Sequence, residues 1–151
     1  MSTADSPAIF APLALSLVGT LCTVIIHALA VLTTIRFVRR EQRLGIAGVV
    51  FWRDVGIVGA TTLLVSGAHL IEIAIWGAGF ALCGEFHGFA SAFYHSAENY
   101  TTLGYGDLVM SPQWKLLGPL EAADGMLMFG VSTAIIFTVI QRLVQTRYGE
   151  R

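Results

Sequence analysis

Three long apolar stretches limit what this chain can fold into. They run from about Ile9 to Val38, from about Val49 to Leu82 and from about Pro119 to Val144. A helix needs roughly 20 apolar residues to cross the hydrocarbon core of a bilayer, and each stretch is longer than that. Charged residues make up only 13% of the chain, against about 25% in soluble domains. The pattern therefore predicts an all-α integral membrane protein with three transmembrane helices.

The rest of the composition argues against several other classes of protein. The formal net charge is -1 and no basic stripe is present, so no nucleic-acid partner is expected. Two cysteines, Cys22 and Cys83, are too few for a disulfide framework or a zinc site. No nucleophile and base at a suitable spacing and no metal-ligand cluster stand out. We therefore expect no enzyme, no organic cofactor and no soluble partner.

The basic residues predict the orientation of the chain in the membrane. Those around the first connection are Arg36, Arg39, Arg40, Arg43 and Arg53, and those after the third stretch are Arg142, Arg147 and Arg151. The connection between the second and third stretches has only Lys115. Because basic loops stay on the cytoplasmic side, the N-terminus is expected outside and the C-terminus in the cytoplasm. Residues 1–7 are expected to form a short tail.

A shorter and more polar segment lies between the second and third apolar stretches. It covers about residues 86–101, which are too few and too polar to cross the membrane, and it predicts a re-entrant helix. The run Thr-Thr-Leu-Gly-Tyr-Gly-Asp follows at 101–107, and its glycines permit backbone angles that are closed to other residues. Non-helical backbone at membrane depth is stable only when it is buried in protein or lines water. The run is therefore expected to face a pore or a cavity.

This run resembles the signature of the potassium-channel pore domain, which reads TVGYG. Leu103 stands where valine is commoner. An apolar outer helix (about 49–82), a short pore helix, the run and an inner helix (about 119–144) follow in the order of that family. The resemblance covers about residues 53–147 and leaves out the first stretch.

The resemblance implies a C4 homotetramer in a lipid bilayer, because each chain supplies one quarter of the ion-binding filter. It also implies a location in the bacterial inner membrane. On this interpretation residues 1–45 form an N-terminal transmembrane helix with its cytoplasmic link, and residues 46–151 form the pore domain.

The resemblance further implies a role for each residue of the run. Backbone carbonyls and the Thr102 hydroxyl would replace the water around K⁺, the permeant ion, and Gly106 would form the outer mouth. The filter residues are Thr102, Leu103, Gly104, Tyr105 and Gly106. The Tyr105 ring would pack against the pore helix. The residues expected to support the filter are Tyr94, His95, Glu98, Thr101 and Asp107.

Glu98 and Asp107 are nine positions apart, as in relatives where a pore-helix glutamate pairs with an aspartate behind the filter. Two adjacent carboxyl groups cannot both ionise cheaply, so one is expected to hold a proton and donate to the other. Alternatively, Glu98 only supports helix packing and Asp107 concentrates cations at the mouth. Tyr94 and His95 stand where relatives usually have two tryptophans. Tyr94 can donate to Asp107, and His95 adds a group that titrates near neutral pH.

Two glycines of the third stretch are candidates for a gating hinge. Gly125 lies at about the distance from the run where inner helices of the family carry a hinge glycine. Gly130 begins a stripe of small residues at every fourth position, continued by Ala134 and Thr138. Such a stripe is more often a packing seam than a gate.

Four ionisable residues lie inside the apolar stretches: His69, Glu72, Glu121 and Asp124. Charged groups in a membrane are costly and are usually paired or functional. We predict that they form a polar cluster which either holds outer helix against inner helix or senses protons. Asp124 is expected to face the outer helix or the pore helix instead of the ion path. His27 is expected to be hydrogen-bonded in the core, and Trp76 to be an interfacial anchor.

The function expected from the run is passive conduction of K⁺. Voltage sensing is not expected, because the first stretch has no regular array of arginines. One rival is a weakly selective cation channel, but such relatives commonly lose the tyrosine or a glycine of the filter. A second rival is a single-repeat subunit of a potassium transporter, whose filter loops usually keep one glycine. A non-conducting scaffold is the third.

Overall fold

The computed structural model describes residues 9–149, and regular structure in these residues consists of four α-helices. They are α1 (Phe10–Arg43), α2 (Phe51–Leu82), α3 (Phe89–Tyr100) and α4 (Leu117–Tyr148). α1, α2 and α4 are long and apolar enough to cross a membrane. With 12 residues, α3 is about 18 Å long and cannot cross a hydrocarbon core of about 30 Å. The predicted all-helical class with three spanning helices is confirmed. The predicted tail at residues 1–7, and Arg151, lie outside the described residues.

Glycines end α1 and α2 in the same way. Gly45 has a φ of +67° and Gly84 a φ of +76°. In each case the N–H groups of the glycine and of the next residue donate to carbonyls of the last helical turn, at 3.0 and 3.1 Å after α1 and at 3.0 and 3.3 Å after α2. This is the Schellman motif, whose left-handed position favours glycine because a Cβ is strained there.

α4 begins two residues before Pro119, which therefore lies in the first helical turn as predicted. The missing N–H of proline costs no hydrogen bond at that position, because the first turn has no carbonyl before it to accept one.

The described chain forms two compact units. The first contains residues 9–25 and Leu70–Met128, and therefore the whole of α3. Its apolar core consists of Ile73, Trp76, Phe80, Ala92, Tyr100, Met110, Leu117 and Met128. A Cβ at Gly77 would lie 3.0 Å from the Phe93 Cα. Glycine at this position therefore lets the backbones of α2 and α3 approach closely.

The second unit contains Ile26–His69 and residues 129–149. Its apolar core consists of Val38, Ala47, Ile57, Val139 and Leu143. Asp54 accepts a hydrogen bond from the Gly48 N–H over 2.8 Å and forms an ion pair with Arg147 at 2.5 Å. These contacts hold the start of α2 against the end of α4. The two cysteines are free and partly exposed, not fully buried.

Candidate functional site

α3 also ends in a Schellman motif, but with threonine at the left-handed position. The Thr102 N–H donates to the Asn99 carbonyl and the Leu103 N–H to the Glu98 carbonyl, both over 2.8 Å. The φ angle of Thr102 is +60°, a region that costs a β-branched residue about 1 kcal/mol or more. Glycine would end the helix without that strain, so Thr102 is a backbone outlier at this position.

After Thr102, φ is positive at every second residue. It is +55° at Gly104 and +75° at Gly106, whereas neither Leu103 nor Tyr105 has a positive φ. In a regular strand all φ angles are negative and successive residues point to opposite sides. An alternation in the sign of φ removes that regularity and lets successive carbonyls face the same side. Rows of backbone carbonyls form the cation sites of ion-selectivity filters.

The two glycines of the run are needed for their backbone angles and not for space. A Cβ built on Gly104 or on Gly106 meets no atom within 4 Å. The positive φ angles alone therefore disfavour other residues at these positions.

The large side chains of the run lie on the surface of the single chain. Leu103 is 55% exposed and Tyr105 is 71% exposed. The expected packing of the Tyr105 ring against α3 is therefore not found within one chain. The backbone leaves α3 at the Schellman turn, and the segment that follows runs along the surface.

Tyr94 links the pore-helix side of the site to the segment after the run. Its hydroxyl donates to Asp107 Oδ2 over 3.2 Å, the contact that the sequence suggested. Partial desolvation and hydrogen bonds to Asp107 and Glu98 raise the pKa of Tyr94 to about 12, so its hydroxyl keeps its proton and donates. Asp107 accepts in addition from the Leu108 N–H over 3.1 Å. The phenol thus interacts with both carboxylates that were predicted to pair with each other.

His95 is buried on α3 and is neutral at neutral pH. Burial lowers its pKa, against the opposing effect of the nearby Glu98 carboxylate. Its Nε2 atom accepts a hydrogen bond from the Asn99 side-chain amide over 3.0 Å, which places the imidazole proton on Nδ1. Titration of His95 is therefore expected at a more acidic pH than the sequence alone suggested.

The segment after the run is also tied to the turn after α2. One carboxylate oxygen of Glu85 accepts from the Ser111 N–H over 2.6 Å and the other from the Ser111 hydroxyl over 2.8 Å. A carboxylate that accepts two bonds from one residue fixes the direction as well as the distance of the contact.

Two carboxyls from the long helices bond to α3. The Tyr100 hydroxyl donates to Glu72 of α2. The Ser96 hydroxyl lies 2.5 Å from Glu121 Oε1 of α4 and 2.7 Å from the Ile73 carbonyl of α2. Both carboxyls are fully buried. They therefore hold the last two turns of the short helix between α2 and α4.

Asp124 has a different set of partners. Its Oδ2 atom accepts from the Trp76 Nε1–H over 3.0 Å and from the Thr23 hydroxyl over 2.8 Å. Asp124 thus faces the outer helix α2, as predicted, and also bonds to α1. Trp76 is 3% exposed, so the prediction of an interfacial anchor was wrong. A buried acceptor on α4 draws the indole into the core.

His69 bonds within the second unit. Its Nε2 atom lies 2.8 Å from the Ser132 hydroxyl, which lies 3.1 Å from His27 Nε2. The prediction that His27 is hydrogen-bonded in the core is confirmed. Of the four residues predicted as one cluster, the three acids all interact electrostatically with Tyr100 of α3. Glu72 and Glu121 bond to α3, and Asp124 joins α4 to α2. The sequence did not reveal that α3 would supply the donors.

The two hinge candidates have opposite surroundings. Gly125 is buried, and a Cβ there would overlap the Tyr100 carbonyl oxygen, so glycine at 125 permits close contact with the end of α3. Gly130 is exposed, and a Cβ there meets no atom within 4 Å. α4 is helical through both positions, and the hinge role stays a prediction.

Three residues with a clear place in the site were not singled out from the sequence: Thr23, Ser96 and Tyr100. Each bonds to a carboxyl that was singled out. The signal that could have found them is the need of every buried carboxyl for donors from a neighbouring helix.

Comparisons with known proteins give a consistent result. Residues 68–142, about half of the chain, match the family model described as Ion channel. The Inward rectifier potassium channel Kirbac3.1 of Paramagnetospirillum magnetotacticum is 30% identical over 86 residues, which cover 52% of this chain and 29% of that protein. The chain therefore matches less than a third of the length of this relative. No solved structure matches the chain.

Proposed function

We propose that this chain, which belongs to the potassium-channel pore-domain family, forms a tetrameric pore that conducts K⁺ passively and selectively across the membrane. Thr102, Leu103, Gly104 and Tyr105 supply the carbonyl oxygens that replace the water around the ion, and the Thr102 hydroxyl adds a further ligand. Gly106 forms the outer mouth.

The observation that supports this most is the backbone of residues 102–106. Its alternating φ signs, at +60°, +55° and +75° on every second residue, suit a row of carbonyls on one side. Four such rows around an axis make a cation site that one row cannot make. The exposed Leu103 and Tyr105 side chains are available for contact with neighbouring subunits.

The membrane orientation follows from the charge distribution. The N-terminus lies outside and the C-terminus in the cytoplasm, because the arginines gather at the end of α1 and in the last turns of α4. The run then faces the outside, in a bacterial inner membrane. Glu98, Asp107, Tyr94, His95 and Thr101 support it from behind.

Reconstitution in planar bilayers tests the proposal. With K⁺ on one side and Na⁺ on the other, the current should reverse near the potential expected for K⁺ alone, at both neutral and mildly acidic pH. A reversal potential near zero would favour the weakly selective channel, and no current would favour the scaffold. Transport that saturates and depends on a second ion would favour the transporter subunit.

The Thr102→Gly variant separates the function of Thr102 from its role in the helix end. Glycine relieves the left-handed strain, so the variant should be as stable as the wild type or about 1 kcal/mol more stable. Loss of the hydroxyl should nevertheless lower the selectivity for K⁺. Thermal unfolding in detergent and bilayer reversal potentials measure the two effects.

Gly84→Thr is the matched control for Thr102→Gly, because it makes the reverse change at the left-handed position after α2. A Cβ at Gly84 meets no atom within 4 Å, so only the backbone strain of about 1 kcal/mol should appear. If Thr102→Gly kept full selectivity, the hydroxyl would have no part in ion binding.

A further inference from the structure

α3 is too short to span the membrane, and its position decides where the run begins. Its side chains donate hydrogen bonds to both neighbouring helices near its C-terminal end. The Tyr100 hydroxyl donates to Glu72 of α2, and the Ser96 hydroxyl contacts Glu121 of α4. Thr102 follows Tyr100 by two residues, so its Cα lies within about 8 Å of the Tyr100 Cα.

The main chain at the end of α3 is held as well. The Tyr100 carbonyl lies so close to Gly125 of α4 that a Cβ would overlap it. Tyr100 is therefore fixed by its hydroxyl on α2 and by its carbonyl on α4. Tyr100 lies inside the Schellman turn that sets the backbone of Thr102, whose hydrogen bonds run from the Thr102 and Leu103 amides back to the Asn99 and Glu98 carbonyls.

Ser96 connects α3 to both long helices at one point. Its hydroxyl donates to the Ile73 carbonyl of α2 at 2.7 Å and to Glu121 Oε1 of α4 at 2.5 Å. Because one hydroxyl proton is shared between acceptors on two helices, the position of Ser96 is fixed relative to both.

Buried carboxyls are an expensive way to hold helices together in a membrane, where packing of apolar side chains would serve for stability alone. Both carboxyls here are fully buried and both bond to the helix that precedes the run. A hydrogen bond fixes direction and distance more narrowly than apolar contact does. Such precision is useful where the position of a few oxygens decides which ion fits.

We propose that Glu72 and Glu121 are positioning residues for the pore. Their bonds to Tyr100 and Ser96 clamp the end of α3 between α2 and α4 and thereby fix the backbone from Thr102 onward. This inference rests on the proposed function, since it assigns these carboxyls to the selectivity of that pore. They do not touch the ion themselves.

The first experiment removes the donors on α3. Tyr100→Phe and Ser96→Ala each delete one hydroxyl, and each should lower the K⁺ to Na⁺ permeability ratio about three- to tenfold, the equivalent of one hydrogen bond. Thr61→Val is the control, because it removes a buried hydroxyl of α2 that has no hydrogen-bond partner among the described residues and lies about 16 Å along the helix from Glu72. Its ratio should stay within about twofold of the wild-type value.

The second experiment compares substitutions of the carboxyls. Glutamine keeps a polar group of the same length, so Glu72→Gln and Glu121→Gln should retain more selectivity than Glu72→Leu and Glu121→Leu. If the glutamine and leucine variants lose selectivity equally, the hydrogen bond is not the cause and the proposal is wrong.

A third measurement does not depend on selectivity. Hydrogen exchange at the Thr102 and Leu103 amides should become faster in Tyr100→Phe and Ser96→Ala and stay unchanged in Thr61→Val. Unchanged exchange together with an unchanged permeability ratio would overturn the clamp. If the wild type itself proved unselective, the proposed function would fail, while the exchange data would still decide whether the clamp exists.

Discussion

The two compact units bury different kinds of polar side chain, and the difference shows where the positions of the helices are fixed by hydrogen bonds. Among the described residues, all buried carboxyls lie in the first unit: Glu72, Glu98, Glu121 and Asp124. The buried polar side chains of the second unit are two histidines and three hydroxyls: His27, His69, Thr34, Thr61 and Ser132. Carboxyl acceptors are concentrated in the unit that contains the short helix, whose hydroxyls bond to two of them.

Two glycines of α4 also differ between the units in how closely they are packed. Gly125 belongs to the first unit and lies against the end of α3, whereas Gly130 belongs to the second and faces open space. The first unit therefore tolerates little change in backbone spacing near the run. The open surface of the second unit at Gly130 is free to contact lipid or another subunit.

Exchange of these glycines for alanine should give the largest contrast between the units. Gly125→Ala forces apart α4 and the Tyr100 carbonyl, and should destabilise the protein by about 3 kcal/mol or prevent its folding. Gly130→Ala should be neutral or stabilise by up to about 1 kcal/mol, since alanine favours a helix. Thermal unfolding in detergent compares the two. Equal stability of both variants would show that Gly125 is not a site of close packing.

Exchange of buried threonines for valine should give a smaller contrast. Thr23→Val deletes the donor that lies 2.8 Å from Asp124 and should cost about 1–2 kcal/mol. In the second unit, the buried hydroxyl of Thr61 has no hydrogen-bond partner among the described residues. Thr61→Val should therefore be neutral or slightly stabilising.

Denaturant unfolding of the two valine variants gives the comparison. If Thr61→Val proved as costly as Thr23→Val, the hydroxyl of Thr61 would have a partner comparable to Asp124, and the contrast between the units would fail at this position.

The smallest expected effect is the change in the stability of the first unit with pH. Burial lowers the pKa of His95 in the folded protein below the ordinary value of 6.5, so the unfolded chain binds a proton more readily. Stability should be constant above that value and fall as the pH drops below it, by less than about 1.4 kcal/mol per pH unit. His95→Gln should remove this part of the slope. If the free energy of unfolding changed with pH equally in the variant and the wild type, another group would be responsible for the pH dependence.

Features that depend on residues close together in the chain could be predicted from the sequence, and those that depend on distant residues could not. The three spanning helices follow from apolar length, and α3 follows from a segment too short and too polar to span. The ends of the helices depend on turns that apolar length does not reveal. α3 begins at Phe89, three residues later than predicted, because Gly84 closes α2 and the residues after it form a turn.

The candidate site likewise has one part that the sequence predicts and one part that it does not. The run at 101–107 is contiguous, so its pattern of glycines could be recognised without any knowledge of what surrounds it. The partners of the buried carboxyls could not, since they lie far away in the chain. Glu72 and Tyr100 are separated by 28 positions, and Thr23 and Asp124 by 101. Trp76 was wrongly assigned for this reason, as an indole can lie at an interface or in a core that offers an acceptor.

The sequence by itself determined that this is a helical membrane protein with a glycine-rich run after a short helix, because apolar length and backbone freedom are local properties. The tertiary structure decided that Gly125 meets a carbonyl, that Thr102 takes a left-handed conformation, and that Glu72 and Glu121 hold α3. These depend on which helix faces which. Side chains distant in the chain meet only after the helices have packed, and the angles at which they pack are not encoded in any short segment.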